Sequence, residues 1–174
     1  IRYRSINIIK NKKNKIINKI TKKNLLRKED VKKNFIVVKV QFANLNYKDF
    51  LMFQGHNGLI KKFPHTPGID ACGTVYYSNS SKFKRYQKVF IIAQPLGVDI
   101  SGSLSEYILV PEHWVEKLPN NLSSKEIMMI GTSGFTAVKA FNKSLKTILK
   151  HKNRPVLVTG ATGNVGMHLI YLLS

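Results

Sequence analysis

The stretch FIVVKVQF alternates along its length. Ile36, Val38, Val40 and Phe42 share one face and Lys39 and Gln41 the other, the pattern of a half-buried strand. Short β-like runs recur as GTVYYS, KVFIIA and LSEYILV, separated by the turn-rich stretches HNG, HTPG, SNSS and DISGS. Residues from about 35 to 118 therefore read as an all-β module, and the residues before them add edge strands or a hairpin around NKKNK. The period changes at NLSSKEIMMIGTSGFTAVKAFNKSLKTILK. Ser123 or Ser124 can cap a helix with Glu126 in its first turn, and Gly131 and Gly134 interrupt it. A second helix follows, on which Phe135, Val138, Phe141, Leu145 and Leu149 keep helical spacing. HKNR then leads into a short apolar strand, PVLVT.

After that strand come Gly160, Gly163 and Gly166, spaced G-x-x-G-x-x-G, and a helix carrying Val165, Leu169, Ile170 and Leu172. Glycine suits this place for three reasons: a sharp turn off a strand, close approach of a pyrophosphate to bare backbone, and tight helix packing. The helix N-terminus offers free N–H groups and a positive dipole to phosphates. The alternative is a βα turn that holds no ligand. The acidic or basic residue that reads the adenosine ribose falls about 20 positions further on, so the residues by themselves leave NAD and NADP open.

The chain has 174 residues with 43% hydrophobic content, enough for a packed core. Cys72 is the only cysteine, which excludes an internal disulfide and suggests a reducing, cytoplasmic setting. No apolar run approaches a membrane span and no apolar h-region follows the basic N-terminus. The formal net charge is +20. That charge suits a nucleic-acid-binding module. It also suits compositional drift, because Lys far outnumbers Arg and AT-rich codons encode Lys, Asn and Ile. The densest basic stretch, KNKKNKIINKITKKNLLRK, has no aromatic residue for base stacking, so drift is the reading taken and no specific nucleic-acid partner is expected.

Four stretches occur together in order: ANLNYKDFLMFQG, FPHTPGIDACGTV, MMIGTSGFTAVKA and VLVTGATGNVG. They resemble the medium-chain dehydrogenase/reductase superfamily, in its zinc-free quinone oxidoreductase branch and specifically the acrylyl-CoA reductase group. The resemblance implies an α/β chain: a GroES-like β-barrel domain over residues 1–122, then connecting helices and the first βα unit of a Rossmann NADP-binding domain over 123–174. It implies an N-terminal fragment of a longer enzyme that passes a hydride from NADPH to an activated C=C bond, in an acyl-CoA or quinone-like small molecule. Homodimerisation of the full-length protein is implied too. A remnant that folds its β domain and binds nothing is the further alternative.

Carried onto this chain, the resemblance puts Tyr47 beside the nicotinamide end of the cofactor. Gly160, Thr162, Gly163, Asn164, Val165 and Gly166 wrap the pyrophosphate, and Thr132 and Thr136 lie near the cleft floor. Tyr47 otherwise reads as a packing tyrosine and Asp49 as a structural cap or ion-pair partner. No catalytic residue is assigned. The family's loop after the strand at VFIIA usually carries tryptophan, whereas the loop here, AQPLGVDISGS, has none. Trp114 reads as a packing residue. No metal is expected: Asn46 stands where zinc-dependent relatives place the first ligand, and Gly68, Ile69 and Asp70 replace their Gly-His-Glu. Ile69 cannot bind zinc. The five histidines, His56, His65, His113, His151 and His168, read as loop or surface residues.

Overall fold

The computed structural model describes residues 2–24, 27–151 and 153–174. Its first element is a hairpin of β1 (Arg2–Lys10) and β2 (Ile16–Asn24), paired antiparallel around the polar turn at Asn11–Lys15. Asn11 builds that turn: its side-chain oxygen accepts from the backbone N–H groups of Lys13 and Lys15, both at 2.9 Å. Most of the basic stretch lies here, and its lysines are largely exposed along β2. Leu25 and Leu26 of that stretch lie outside the described residues.

Five further strands form one antiparallel sheet in the order β6-β3-β4-β5-β7. They are β3 (Phe35–Phe42), β4 (Ala71–Ser78), β5 (Lys88–Ile91), β6 (Tyr107–Pro111) and the short β7 (Glu116–Lys117). The hairpin is joined to this module through backbone bonds of β1: Ile6 N–H to the Leu104 carbonyl at 2.9 Å, and a reciprocal pair between Ile8 and His65 at 2.7 and 2.9 Å.

Period-two alternation decides which residues meet in the core. Ile36 and Val38 of β3, Ala71 and Val75 of β4 and Val89 and Ile91 of β5 fill one apolar cluster. The opposite face of the sheet is covered as well. Cys72 packs there with Ile127 and Met128, and Phe90 and Ile92 border the same cluster. The expected half-buried β3 therefore needs correcting: Val37 is only 2% exposed, whereas Phe42 is 45% exposed. A register shift between Val40 and Phe42 turns the end of the strand out of the face that Ile36 and Val38 share. Trp114 packs against the main cluster, as its position suggested.

The helices are α1 (Tyr47–Phe53), α2 (Ser124–Lys150) and α3 (Asn164–Leu173). Helix α2 starts at the anticipated place. The Ser123 hydroxyl accepts from Glu126 N–H at 3.2 Å and the Glu126 carboxylate accepts from Ser123 N–H at 2.7 Å, a reciprocal capping box. Gly131 breaks the helical path at φ 51° and ψ −163°, while Gly134 continues the helix. Helix α3 packs on α2. Of the expected row, Phe135, Val138 and Leu149 are exposed, while Phe141 and Leu145 are half-buried.

The expected strand PVLVT does not form. Residues 155–158 have no strand partner among the described residues, and Leu157 is 88% exposed. An extended segment gains little from its own backbone; lateral hydrogen bonds and covered faces hold it. Replacing Ser123 by Ala removes the cap acceptor and should lower stability by about 1 kcal/mol. Urea unfolding followed by circular dichroism checks this, with an unchanged slope marking an intact native fold.

Candidate cofactor cavity

Helix α1 is tied down at its first turn. Asp49 accepts from Asn46 N–H at 2.9 Å and, through its other oxygen, from Gly68 N–H at 2.8 Å. Its side chain is buried, which pushes the carboxyl above the ordinary aspartate value. The two backbone donors oppose that shift, and the nearby Asp70 charge adds to it. Asp49 is thus a cap that fastens α1 to the loop at residues 66–70, the structural role read for it. Tyr47 projects from the same turn. It is 74% exposed, and its ring stacks against Phe50 with centroids 6.1 Å apart.

Asp70 is fully buried and gathers donors from two parts of the chain, the loop before α1 and helix α2. Asn46 Nδ2 donates to it at 2.9 Å and Asn44 Nδ2 at 3.4 Å. From α2, Thr132 donates its backbone N–H at 2.9 Å and its hydroxyl to the other carboxylate oxygen. Thr132 is the first residue past the Gly131 break, so Asp70 caps a freshly started helical turn. The Thr132 hydroxyl also accepts from Ala93 N–H at 2.8 Å. A Cβ on Gly131 would come within 2.4 Å of Asn44 Nδ2 and 2.8 Å of an Asp70 oxygen, so both its positive φ and its space require glycine.

The glycine turn folds tightly on itself. Gly163 N–H donates to the Gly160 carbonyl at 3.0 Å. A Cβ on Gly166 would sit 2.3 Å from that same carbonyl oxygen, so the third glycine allows α3 to close against the turn. Gly160, at φ 62°, has nothing within 4 Å of its missing Cβ. Gly163 is the N-cap of α3, and among the described residues no side chain caps the helix start. The first N–H groups of α3 are thereby left for an incoming acceptor.

These parts enclose a cavity of about 830 Å³. Tyr47 lines it from α1, Thr132 and Thr136 from α2, and Gly160, Gly163, Asn164, Val165 and Gly166 from the turn. Thr162 does not line it, so the turn presents Gly163 and Asn164 instead. The Thr136 hydroxyl donates to the Thr132 carbonyl at 2.7 Å and is engaged within its own helix. Residue reading missed Leu51, Leu59, Val158 and Leu169, which supply apolar wall. It also missed His56, whose loop follows the Tyr47 motif and faces the same space. Among the described residues Lys48 is the only lysine in the lining, which contains no carboxylate.

Two residues from the metal question are engaged elsewhere. Ile69 is 5% exposed and packs with Ile8, Met52 and Ile60, while the Asn46 amide is taken up by Asp70. Of the five histidines read as loop or surface residues, His168 instead stands half-buried on α3, and His65 lies in a loop, as read, but is buried there. It is 8% exposed and its Nε2 lies 2.6 Å from the Gly97 carbonyl, because the loop holding it is pinned to β1 on one side and to Gly97 on the other.

A five-stranded β module followed by a helical extension whose glycine-rich turn faces a tyrosine-bearing helix is the fold to be placed among known proteins. The family model for the alcohol dehydrogenase GroES-like domain matches residues 32–120. The chain belongs to that family, in the quinone oxidoreductase and acrylyl-CoA reductase branch of the medium-chain dehydrogenases/reductases. It is 40% identical over 146 residues to a Bacillus subtilis protein named "Putative quinone oxidoreductase YhfP", covering 84% of this chain and 44% of that one. It is 38% identical over 131 residues to acrylyl-CoA reductase AcuI of Ruegeria pomeroyi, covering 75% and 40%. The crystal structure of Bacillus subtilis yhfP with NAD bound superposes with a TM-score of 0.87 at 35% identity, over 99% of this chain and 51% of that one. The yhdH oxidoreductase from Salmonella enterica in complex with NADP gives 0.80 at 32% identity, over 99% and 52%. The chain therefore spans about half the length of the relatives it matches. Among the described residues no helix is long and apolar enough to cross a membrane.

Exchanging Asp70 for Asn keeps the shape but turns an amide NH₂ toward existing donors. Stability should fall by about 1–3 kcal/mol. Gly131→Ala should lower it by a similar amount, about 1–3 kcal/mol, through backbone strain and overlap. Thermal unfolding of both variants measures this. Wild-type stability in either would remove Asp70 as the fastening point.

Proposed function

We propose that the cavity binds a nicotinamide dinucleotide. In this reading the pyrophosphate rests on the turn at Gly160, Gly163, Asn164, Val165 and Gly166, without Thr162, and the nicotinamide end lies toward Tyr47 and Thr136. The observation that carries it is the uncapped N-terminus of α3 opening onto the same cavity as Tyr47. The relatives with NAD or NADP bound support it. The finer reading is NADPH, with a hydride passed to an activated C=C bond of an acyl-CoA or quinone-like acceptor. Residues 1–122 then form the GroES-like, substrate-side unit, and 123–174 form the connecting helices and the opening of the NADP-binding unit.

The cofactor supplies the hydride when bound. The chain's residues hold it and shape the space beside it. Asp70 fixes the Asn44–Asn46 loop and the start of the Thr132 turn against each other, so the wall bearing Tyr47 and the wall bearing Thr136 keep one separation. Ile69, Leu51 and Leu59 give that end an apolar wall.

Titrating this chain with NADPH and NADH, followed by nucleotide fluorescence, tests the binding. NADPH should bind, and Gly163→Val should weaken it by about tenfold or more, because a branched side chain there meets the approaching phosphate. Unaltered affinity in the variant would count against the turn as the phosphate site. Joined to the remaining length of a relative, the chain should oxidise NADPH with acryloyl-CoA or a quinone. Absence of turnover with every such acceptor would remove the reductase reading.

A further inference from the structure

A second cavity of about 710 Å³ adjoins the first, and the two share Lys48, Ile69, Thr132 and Thr136 in their walls. Its floor is apolar, with Ile69, Pro95 and Val98. One rim is α2, where Phe135, Lys139 and Lys143 follow at four-residue intervals and so stand on one helix face. Lys139 Nζ lies 5.6 Å from the centre of the Phe135 ring. Lys48 of α1 is also in the lining. The lining contains no carboxylate, and among the described residues none of these three lysines forms a salt bridge. Three ammonium groups around an apolar floor, with no counter-charge, favour a ligand that is apolar in its middle and anionic at one end.

We infer that this second cavity is an acceptor site that selects molecules carrying an anionic group, phosphate or carboxylate, over neutral ones of the same reactive part, with Lys139 and Lys143 as the selecting residues. The inference rests on the nicotinamide reading of the adjoining cavity, since the shared Thr132 and Thr136 wall is what makes this space the acceptor's. It adds a charge requirement that a site for neutral quinones alone would not need. Lysine suits the task as a mobile point charge that follows an anion without demanding one geometry. The general charge of +20 attracts anions everywhere on the surface, so a defined subsite must be separable from that background.

The test measures binding to this chain by calorimetry, in buffer of physiological ionic strength. Two pairs of activated alkenes serve as probes: crotonyl phosphopantetheine against crotonyl pantetheine, and monomethyl fumarate against dimethyl fumarate. The anionic member of at least one pair should bind more tightly, and the pair that responds identifies phosphate or carboxylate as the group read. The double substitution Lys139→Gln and Lys143→Gln should weaken that anionic probe by about tenfold, the worth of two exposed charge contacts, and leave its neutral partner unchanged. The control substitutes Lys12 and Lys13 of the hairpin turn by Gln, removes the same charge and should change nothing. Both double variants replace exposed side chains, and circular dichroism confirms that each keeps its helix and strand content.

Equal affinity within both pairs, or equal loss in the control, would overturn the inference. NADPH titration in parallel separates it from the reading beneath it. NADPH binding with indifferent probes would sink the anion subsite alone. Lysine-dependent probe binding without NADPH binding would leave an anion site standing and remove the cofactor assignment. Failure of both would remove both.

Discussion

A buried carboxylate that forms no salt bridge among the described residues governs how helices α1 and α2 meet the sheet. Asp70 lies at the head of β4, inside the protein, and takes hydrogen bonds from two asparagine amides, a backbone N–H and a hydroxyl. Burying such a group is unfavourable unless its lone pairs are satisfied. The donors here come from the loop before α1 and from the restarted turn of α2. Satisfying one side chain therefore fixes the position of both helices relative to the sheet.

The break at Gly131 follows from the same requirement. A continuous helix would direct the Thr132 N–H along its axis to a carbonyl four residues earlier. Leaving the helical path frees that N–H for Asp70, and only a glycine fits in the space beside Asn44. The helix past the break then forms a wall common to both cavities, through Thr132 and Thr136. Ala93, held at a positive φ of 55°, donates to Thr132 and brings the loop of the second cavity to the same point. The cofactor reading and the acceptor reading accordingly concern two rooms built on one partition.

Much of the β module was legible because strands with covered faces write a period of two into their residues. The runs at 71–78, 88–91 and 107–111 are strands, and the turn at NKKNK closes the first hairpin. The capping box at Ser123 and Glu126 was legible because its chemistry is local. The second buried face of β3 was not. Val37 shares the face of Lys39 and Gln41 yet is buried, and a period of two separates the faces without saying what packs on each. The strand expected at residues 155–159 failed for the opposite reason, since its apolar residues promise burial that only a neighbouring element can supply.

The candidate cavity divides along the same line. Glycine spacing after an apolar stretch is a local signal, because backbone approach and positive φ are properties of a few consecutive residues, and that spacing marked Gly160, Gly163 and Gly166 in advance. Distance along the chain hides everything else: Tyr47 lies more than a hundred positions from that turn, His56 belongs to a loop with no motif of its own, and Lys48 joins Lys139 and Lys143 only in the lining of a cavity. Short-range stereochemistry is written residue by residue. Convergence of distant side chains waits on packing, and here packing is governed by the hydrogen-bonding needs of one buried carboxylate.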